Sequence, residues 1–189
     1  MTDTATSISW LTDWDAAIKQ ARKTRKPILI DVYQADCGGC IRLANETLAD
    51  PDVMAQIAER FVPLKLHLFN DRAVTRPWQV FWTPTVLVAD RSGKVRYTSV
   101  NYLPVPEFLD VMDIGEALVD MRWREFEQGI DLLKAVEERH PDGPLTAEAM
   151  YWRGMAEYFN EGNNPAASKR VWQEIQQRFP DSIWAKRQP

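Results

Sequence analysis

The chain has two cysteines, spaced as Cys37-Gly38-Gly39-Cys40. Thiols at that spacing can close a small disulfide ring, because positions i and i+3 share one face of a helix. They can also supply two of the four ligands of a zinc ion. Disulfide exchange needs one sulfur that ionises and attacks, and a second that displaces the partner from the mixed disulfide. A zinc site needs further soft ligands, and the two histidines, His67 and His140, lie far in sequence from the motif and from each other. Four cysteines shared by two chains would satisfy zinc; one chain alone offers too little. An inert structural disulfide is disfavoured by the short ring and by the compartment inferred below. Redox exchange is the leading reading.

The flanking residues say how the pair is held. Residues 27–33, Pro-Ile-Leu-Ile-Asp-Val-Tyr, form a compact apolar run of strand length. Residues 41–48 then place Leu43, Ala44, Thr47 and Leu48 at helical spacing. The first sulfur thus belongs at a helix N-terminus, where free N–H groups and the helix dipole favour a thiolate. Asp31 is an acid in an otherwise apolar strand, a costly placement that demands either a raised pKa or a cation such as Lys65. Thr83-Pro84 stands at the mouth of a further strand, residues 85–89. Proline there cannot donate to the ladder, which leaves that stretch of backbone open to a partner.

Of the 189 residues, 45% are apolar and 26% charged, enough to bury a core, and the net charge of -4 gives no general attraction to nucleic acid or anionic membranes. No run approaches the roughly 20 apolar residues that span a bilayer. Residues 1–7 lack the basic and apolar regions of a secretory signal, which leads us to expect a cytoplasmic protein. In such a reducing compartment, paired cysteines are more often catalytic or metal-binding than structural.

Residues 10–23 read as an amphipathic helix capped by Thr12 or Asp13, with Trp14, Ala17, Ile18 and Ala21 on one stripe. Asp50-Pro51 restarts a helix through Val53, Met54, Ile57 and Ala58. Residues 61–68 alternate as a second strand; 85–89 and 95–100 form a hairpin across a turn at 90–94. Residues 75–82 suggest a short helix begun by Pro77, with Trp78, Phe81 and Trp82 packed as core under the rim of the dithiol, or else sharing in a peptide groove. A helix carrying Phe108, Leu109, Met112 and Leu118 follows Pro104 and Pro106. From about residue 120 only helices are expected, over 125–139, 146–161 and 165–179, separated by Pro-Asp-Gly-Pro and Gly-Asn-Asn-Pro. His67 reads as a satisfied, helix-facing residue, and His140 as a helix end. The tail aromatics Trp123, Tyr151, Trp152, Tyr158, Phe159, Trp172 and Trp184 read as helix-packing core.

From residue 8 to 119 the sequence resembles the thioredoxin family, in a branch with extra helices. The resemblance rests on C-x-x-C after Ile-Leu-Ile-Asp and on Thr83-Pro84 before a strand. It implies an α/β thioredoxin fold, a central mixed sheet flanked by helices, here followed by an all-α helical-hairpin extension over 120–189. It implies that Cys37 attacks, Cys40 resolves, Asp31 assists the proton of the resolving thiol, and Lys65 accompanies that acid. Pro84 matches the family's cis-proline, and Thr83 before it the residue that pairs with substrate backbone. Thr83, Pro84, Gly38, Gly39 and Trp82 are the expected substrate-contacting positions.

The family usually has an aromatic residue before the first cysteine and a proline before the second, where this chain has Asp36 and Gly39. Asp36 should oppose the thiolate of Cys37 and leave it less acidic than in a typical thioredoxin, and Gly39 should loosen the first helical turn. The tail resembles tetratricopeptide helix pairs through Trp152, Met155, Ala156, Phe159, Ser168, Trp172, Ile175 and Pro180, with a half-match at Gly129, Leu133, Val136 and Pro141. Such repeats need about three units to stand alone, so the tail must dock, dimerise or remain marginal.

The expected activity is thiol–disulfide oxidoreduction of protein disulfides, with no organic cofactor and no metal, regenerated by a separate reductase. Nucleic acid and membrane are not expected partners. The rival is an adaptor in which the fold binds and the helical tail recruits a protein partner.

Overall fold

The computed structural model describes residues 7–188; residues 1–6, within the stretch where a secretory signal was sought, and residue 189 lie outside the described residues. The chain divides into two compact units, up to Gly115 and from Glu116 onward.

In the first unit the helix starts are set by short polar side chains. Asp13 caps α1 (Trp14–Thr24), its carboxylate accepting from the Ala16 amide at 2.7 Å. Ala17 and Ala21 on its buried face allow it to lie close to the sheet, with Trp14 and Ile18 packed alongside. The strand β1 (Ile28–Tyr33) follows, buried along almost its whole length. Next come α2 (Gly38–Arg42), which runs on as a π-helical turn (Leu43–Thr47), and α3 (Pro51–Arg60). Asp50 and Pro51 open α3 as expected, the Asp50 carboxylate accepting from the amides of Asp52 and Val53.

The sheet order is β2 (Val62–His67), β1, β3 (Thr85–Ala89), β4 (Val95–Val100). β1 runs parallel to β2 and antiparallel to β3, and β3–β4 is a hairpin. This is the mixed, helix-flanked sheet anticipated from the sequence. A parallel pair needs a long crossover, and α2 with α3 supply it. Alternation along β1 sends Ile28, Ile30 and Val32 into the cluster shared with α1, and sends Leu29 and Asp31 to the opposite face. The β1–β2 register sets Asp31 beside Lys65 on that face. There the close approach of α5 (Val105–Arg122) depends on Gly115, where a Cβ would clash with the Val88 side chain.

The expected helix over 75–82 is shorter and earlier. Residues Arg72–Thr75 form α4, a 3₁₀ turn follows over Arg76–Trp78, and Gln79 ends it in the left-handed region at φ 57°. Trp78 packs edge-on against Trp14, with centroids 4.9 Å apart. Phe81 and Trp82 lie beyond the break and are 85% and 56% exposed, so the expectation of a core aromatic trio holds for Trp78 alone.

In the second unit, α6 (Phe126–Arg139), α7 (Thr146–Asn160), α8 (Pro165–Arg178) and the short α9 (Ile183–Lys186) occupy the three expected helical stretches and a further turn. Tyr151 stacks on Trp172 at 5.4 Å, and Trp152 and Trp184 flank it. Gly154 allows that packing, since a Cβ there would meet the Trp172 indole nitrogen at 2.6 Å. Arg153 bridges Glu137 of α6 and Glu157 of its own helix. No helix among the described residues is long and apolar enough to cross a membrane.

Candidate functional site

Cys37 is the N-cap of α2. Its Sγ accepts from the Cys40 amide at 3.2 Å, and its thiol faces the Thr83 carbonyl at 3.4 Å. Both cysteines are free thiols; Cys37 is partly exposed and Cys40 is buried. Burial pushes the Cys37 thiol up, but hydrogen bonds from Cys40, from Thr83 and from the Cys40 and Gly39 amides outweigh it and hold the thiol below its ordinary value. Burial also pushes Cys40 up, and its hydrogen bond to Cys37 adds to the rise, against a smaller lowering from the Gln34 backbone. One sulfur is thus prepared to ionise and the other to stay protonated. Asp36, whose charge the sequence sets against this thiolate, is exposed to solvent, and the hydrogen bonds named above still hold the thiol below its ordinary value.

Asp31 is 5% exposed, with one carboxylate oxygen 3.3 Å from the Lys65 amine and the other buried without a hydrogen-bond partner. Burial raises its pKa, more strongly than the charge of Lys65 lowers it. Lys65 stays in reach of water, because its side chain borders a cavity of about 310 Å³ shared with Trp10, Ala44 and Leu48. The helix following the dithiol therefore covers the face that carries Asp31 and Lys65.

The Cys37 sulfur opens into a cleft of about 590 Å³, walled by Gly38, Gly39, Phe81, Trp82, Thr83 and Pro84, with Gln34, Leu68, Asn101 and Tyr102 completing it. The Thr83–Pro84 peptide is cis. Gly39 lies so close to this loop that a Cβ would meet the Pro84 ring at 2.9 Å, whereas a Cβ at Gly38 would meet open space. The sequence leads one to expect added freedom at Gly39; in the structure it also packs on the Pro84 ring, and a side chain there would force the ring or the first helical turn to shift. The structure brings Thr83, Pro84, Gly38, Gly39 and Trp82 to the rim around Cys37, and sets Asp31 with Lys65 apart in the sheet.

Asn101, Tyr102 and Gln34 were not legible as site residues. Asn101 adopts φ 84° just after β4 and donates its amide to the Pro84 carbonyl at 2.9 Å, tying that loop to the cleft. Asparagine at a strand end is a recognisable left-handed signal, but nothing local pairs it with Pro84. Tyr102 donates to Glu46 at 2.8 Å and lies under the Arg42 guanidinium, 3.9 Å from the ring centre. These contacts tie the cleft wall to the helix that carries the cysteines.

His67 is satisfied by the turn after β2 rather than by a helix, its Nδ1 accepting from the Phe69 and Asn70 amides at 3.3 Å. His140 ends α6 as expected. Among the described residues no three His, Cys, Asp or Glu side chains converge, so a zinc ion at the dithiol would need ligands from a second chain.

The profile of the thioredoxin-like domain family matches residues 14–115. No curated protein matches the chain. Among solved structures, the chain is similar to the oxidoreductase DsbH at 12% identity and TM-score 0.55, over 64% of this chain and 90% of that one. It is similar to a candidate disulphide-isomerase from Bacteroides thetaiotaomicron at 27% identity and TM-score 0.53, over 59% of this chain and 94% of that one. It is also similar to a thioredoxin from Thermus thermophilus at 20% identity and TM-score 0.51, over 57% of this chain and 87% of that one.

Proposed function

Because the chain belongs to the thioredoxin-like family and is at that level a thiol–disulfide oxidoreductase, we propose that it reduces protein disulfides through Cys37 and Cys40, in a cytoplasmic setting. The observation that carries this reading is the inequality of the two thiols. Cys37 opens to the cleft with its pKa lowered, and Cys40 is buried behind it with its pKa raised.

The Cys37 thiolate attacks one sulfur of the substrate disulfide. That S–S bond breaks, the departing sulfur takes a proton, and Cys37 is left in a mixed disulfide. Cys40 then gives up its proton and attacks Cys37 Sγ, releasing the second substrate thiol and closing the Cys37–Cys40 disulfide. Two electrons and two protons pass to the substrate. Asp31, whose pKa burial raises, accepts the Cys40 proton in this scheme, and Lys65 links that acid to water. The rim at Thr83 and Pro84 holds the substrate backbone beside the reacting sulfurs. A separate reductase returns the dithiol.

Equilibration in glutathione buffers tests the reading. A reversible two-electron couple near or below about -250 mV makes the protein a reductant; one near about -120 mV makes it an oxidant or isomerase. Cys40→Ser should accumulate the mixed disulfide, and Cys37→Ser should abolish turnover. A protein that forms no disulfide at any potential would sink the proposal.

A further inference from the structure

The cleft at Cys37 has a neighbour on the far side of Leu68 and Phe81. A second cavity of about 280 Å³ adjoins it, and Leu68 and Phe81 belong to the walls of both. Apart from those two, the second cavity is lined by Phe69, Val80, Thr75 and Gln79 with two arginines, Arg72 and Arg76. Its aromatic residues face water: Phe69 is 61% exposed and Phe81 is 85% exposed. Among the described residues, no carboxylate lines either cavity. The nearest acid in sequence, Asp71, is engaged by the His67 amide at 2.6 Å. Arg72 and Arg76 have no ion-pair partner among the described residues, although the chain carries a net charge of -4. An apolar hollow with two unpaired guanidinium groups on its edge is complementary to a segment that carries an apolar side chain beside a carboxylate.

We propose that the two cavities form one substrate groove. Its second half selects disulfide-bearing proteins with an acidic residue next to an apolar one, a few residues from the attacked cysteine. This rests on the reductase reading for the identity of what enters the first half. Phe81 is where the two halves of the groove meet, since it lines both the dithiol cleft and the arginine-edged hollow. The apolar side chain covers Phe69 and Phe81, and the carboxylate meets Arg72 and Arg76. Selection of this kind is electrostatic at an exposed site and weakens with salt.

The test uses the full chain, pre-reduced, with two peptides that differ only beside an internal disulfide, one carrying Phe-Glu-Glu and the other Phe-Lys-Lys. Cystine serves as a substrate too small to reach the second cavity. Single-turnover rates are followed by tryptophan fluorescence. Binding of serine-for-cysteine versions of both peptides is read by anisotropy, independently of thiol chemistry. We expect about a tenfold preference for the acidic peptide in rate and in binding, lost or inverted in the Arg72→Glu/Arg76→Glu variant, with the cystine rate unchanged. A preference of twofold or less in the parent protein, or one that survives the double charge reversal, overturns the inference. If no disulfide, cystine included, is reduced, the reductase reading fails separately and the anisotropy comparison decides the groove by the same criteria.

Discussion

Replacing Asp31 by asparagine should stabilise the protein at neutral pH while slowing its chemistry. The ionised carboxylate is 5% exposed and faces Lys65 at 3.3 Å. At an effective dielectric constant of about 20 that attraction is on the order of 5 kcal/mol. Opposing it is the desolvation of the carboxylate and of the partly buried ammonium, several kcal/mol per ion. The second oxygen is buried and accepts no hydrogen bond, which costs roughly 1–3 kcal/mol more. The balance lies against the charge, in agreement with the upward shift of this group. Asparagine keeps one oxygen for Lys65 and removes the charge, for a net gain of about 1–2 kcal/mol. At about 2–4 °C per kcal/mol for a chain of this size, the melting temperature should rise by several degrees. The sign of the pH dependence is fixed. Below the unfolded-state value, about 3.9, Asp31 is protonated in both states and the variant has no advantage. As pH rises from there through the raised folded-state value, the unfolded chain ionises first and the parent loses stability, so the variant's advantage grows and then levels off. Melting curves of both proteins from pH 3.5 to 8 check this. A variant less stable than the parent at pH 7, or a difference that does not change with pH, would refute the reasoning.

Iodoacetamide should modify Cys37 first, with a rate midpoint below the ordinary thiol value of about 8.5, and Cys40 only slowly. Gly39→Ala should cost about 1–3 kcal/mol by forcing a methyl against the Pro84 ring, whereas Gly38→Ala should be neutral or stabilising by up to about 1 kcal/mol; urea unfolding of both variants separates the cases. Asp90→Ala should cost about 3–5 kcal/mol, because it strands Arg96 beside the hairpin. The Asp90 carboxyl is fully buried; burial pushes it up, but bonds from Ser92 and Arg96 outweigh that and hold it below the carboxylate range. The stability it contributes is therefore present above the ordinary carboxylate value and lost as pH falls through the lowered one, which acid titration of parent and variant will show.

Features that depend on neighbours within a turn or two are legible in the chain. The dithiol lies between a strand and a helix because Ile-Leu-Ile-Asp-Val-Tyr is strand-forming and Leu43 to Leu48 has helical spacing. Asp13 and Asp50-Pro51 start helices because a short carboxylate bonds the free amides beside it. The three tail helices fall within a residue or so of their expected ends because proline and glycine punctuate them. The Asp31–Lys65 pair was also legible, since a buried acid demands a cation, although only the parallel register of β1 and β2 places them side by side.

The cleft itself was decided by tertiary structure. It joins residues whose separation in the chain is large, as in the contact of Cys37 with Thr83, 46 positions on, and the bond from Asn101 to Pro84. Phe81 and Trp82 carry the apolar signature of core and are exposed, because the left-handed Gln79 breaks the helix before them and the chain emerges along the rim. Gly39 looked like freedom and is close packing, a distinction that rests on where Pro84 lies. Local patterns encode dihedral preference and amphipathic faces. The order of strands in the sheet decides which loops meet at its edge, and here that order assembled the site.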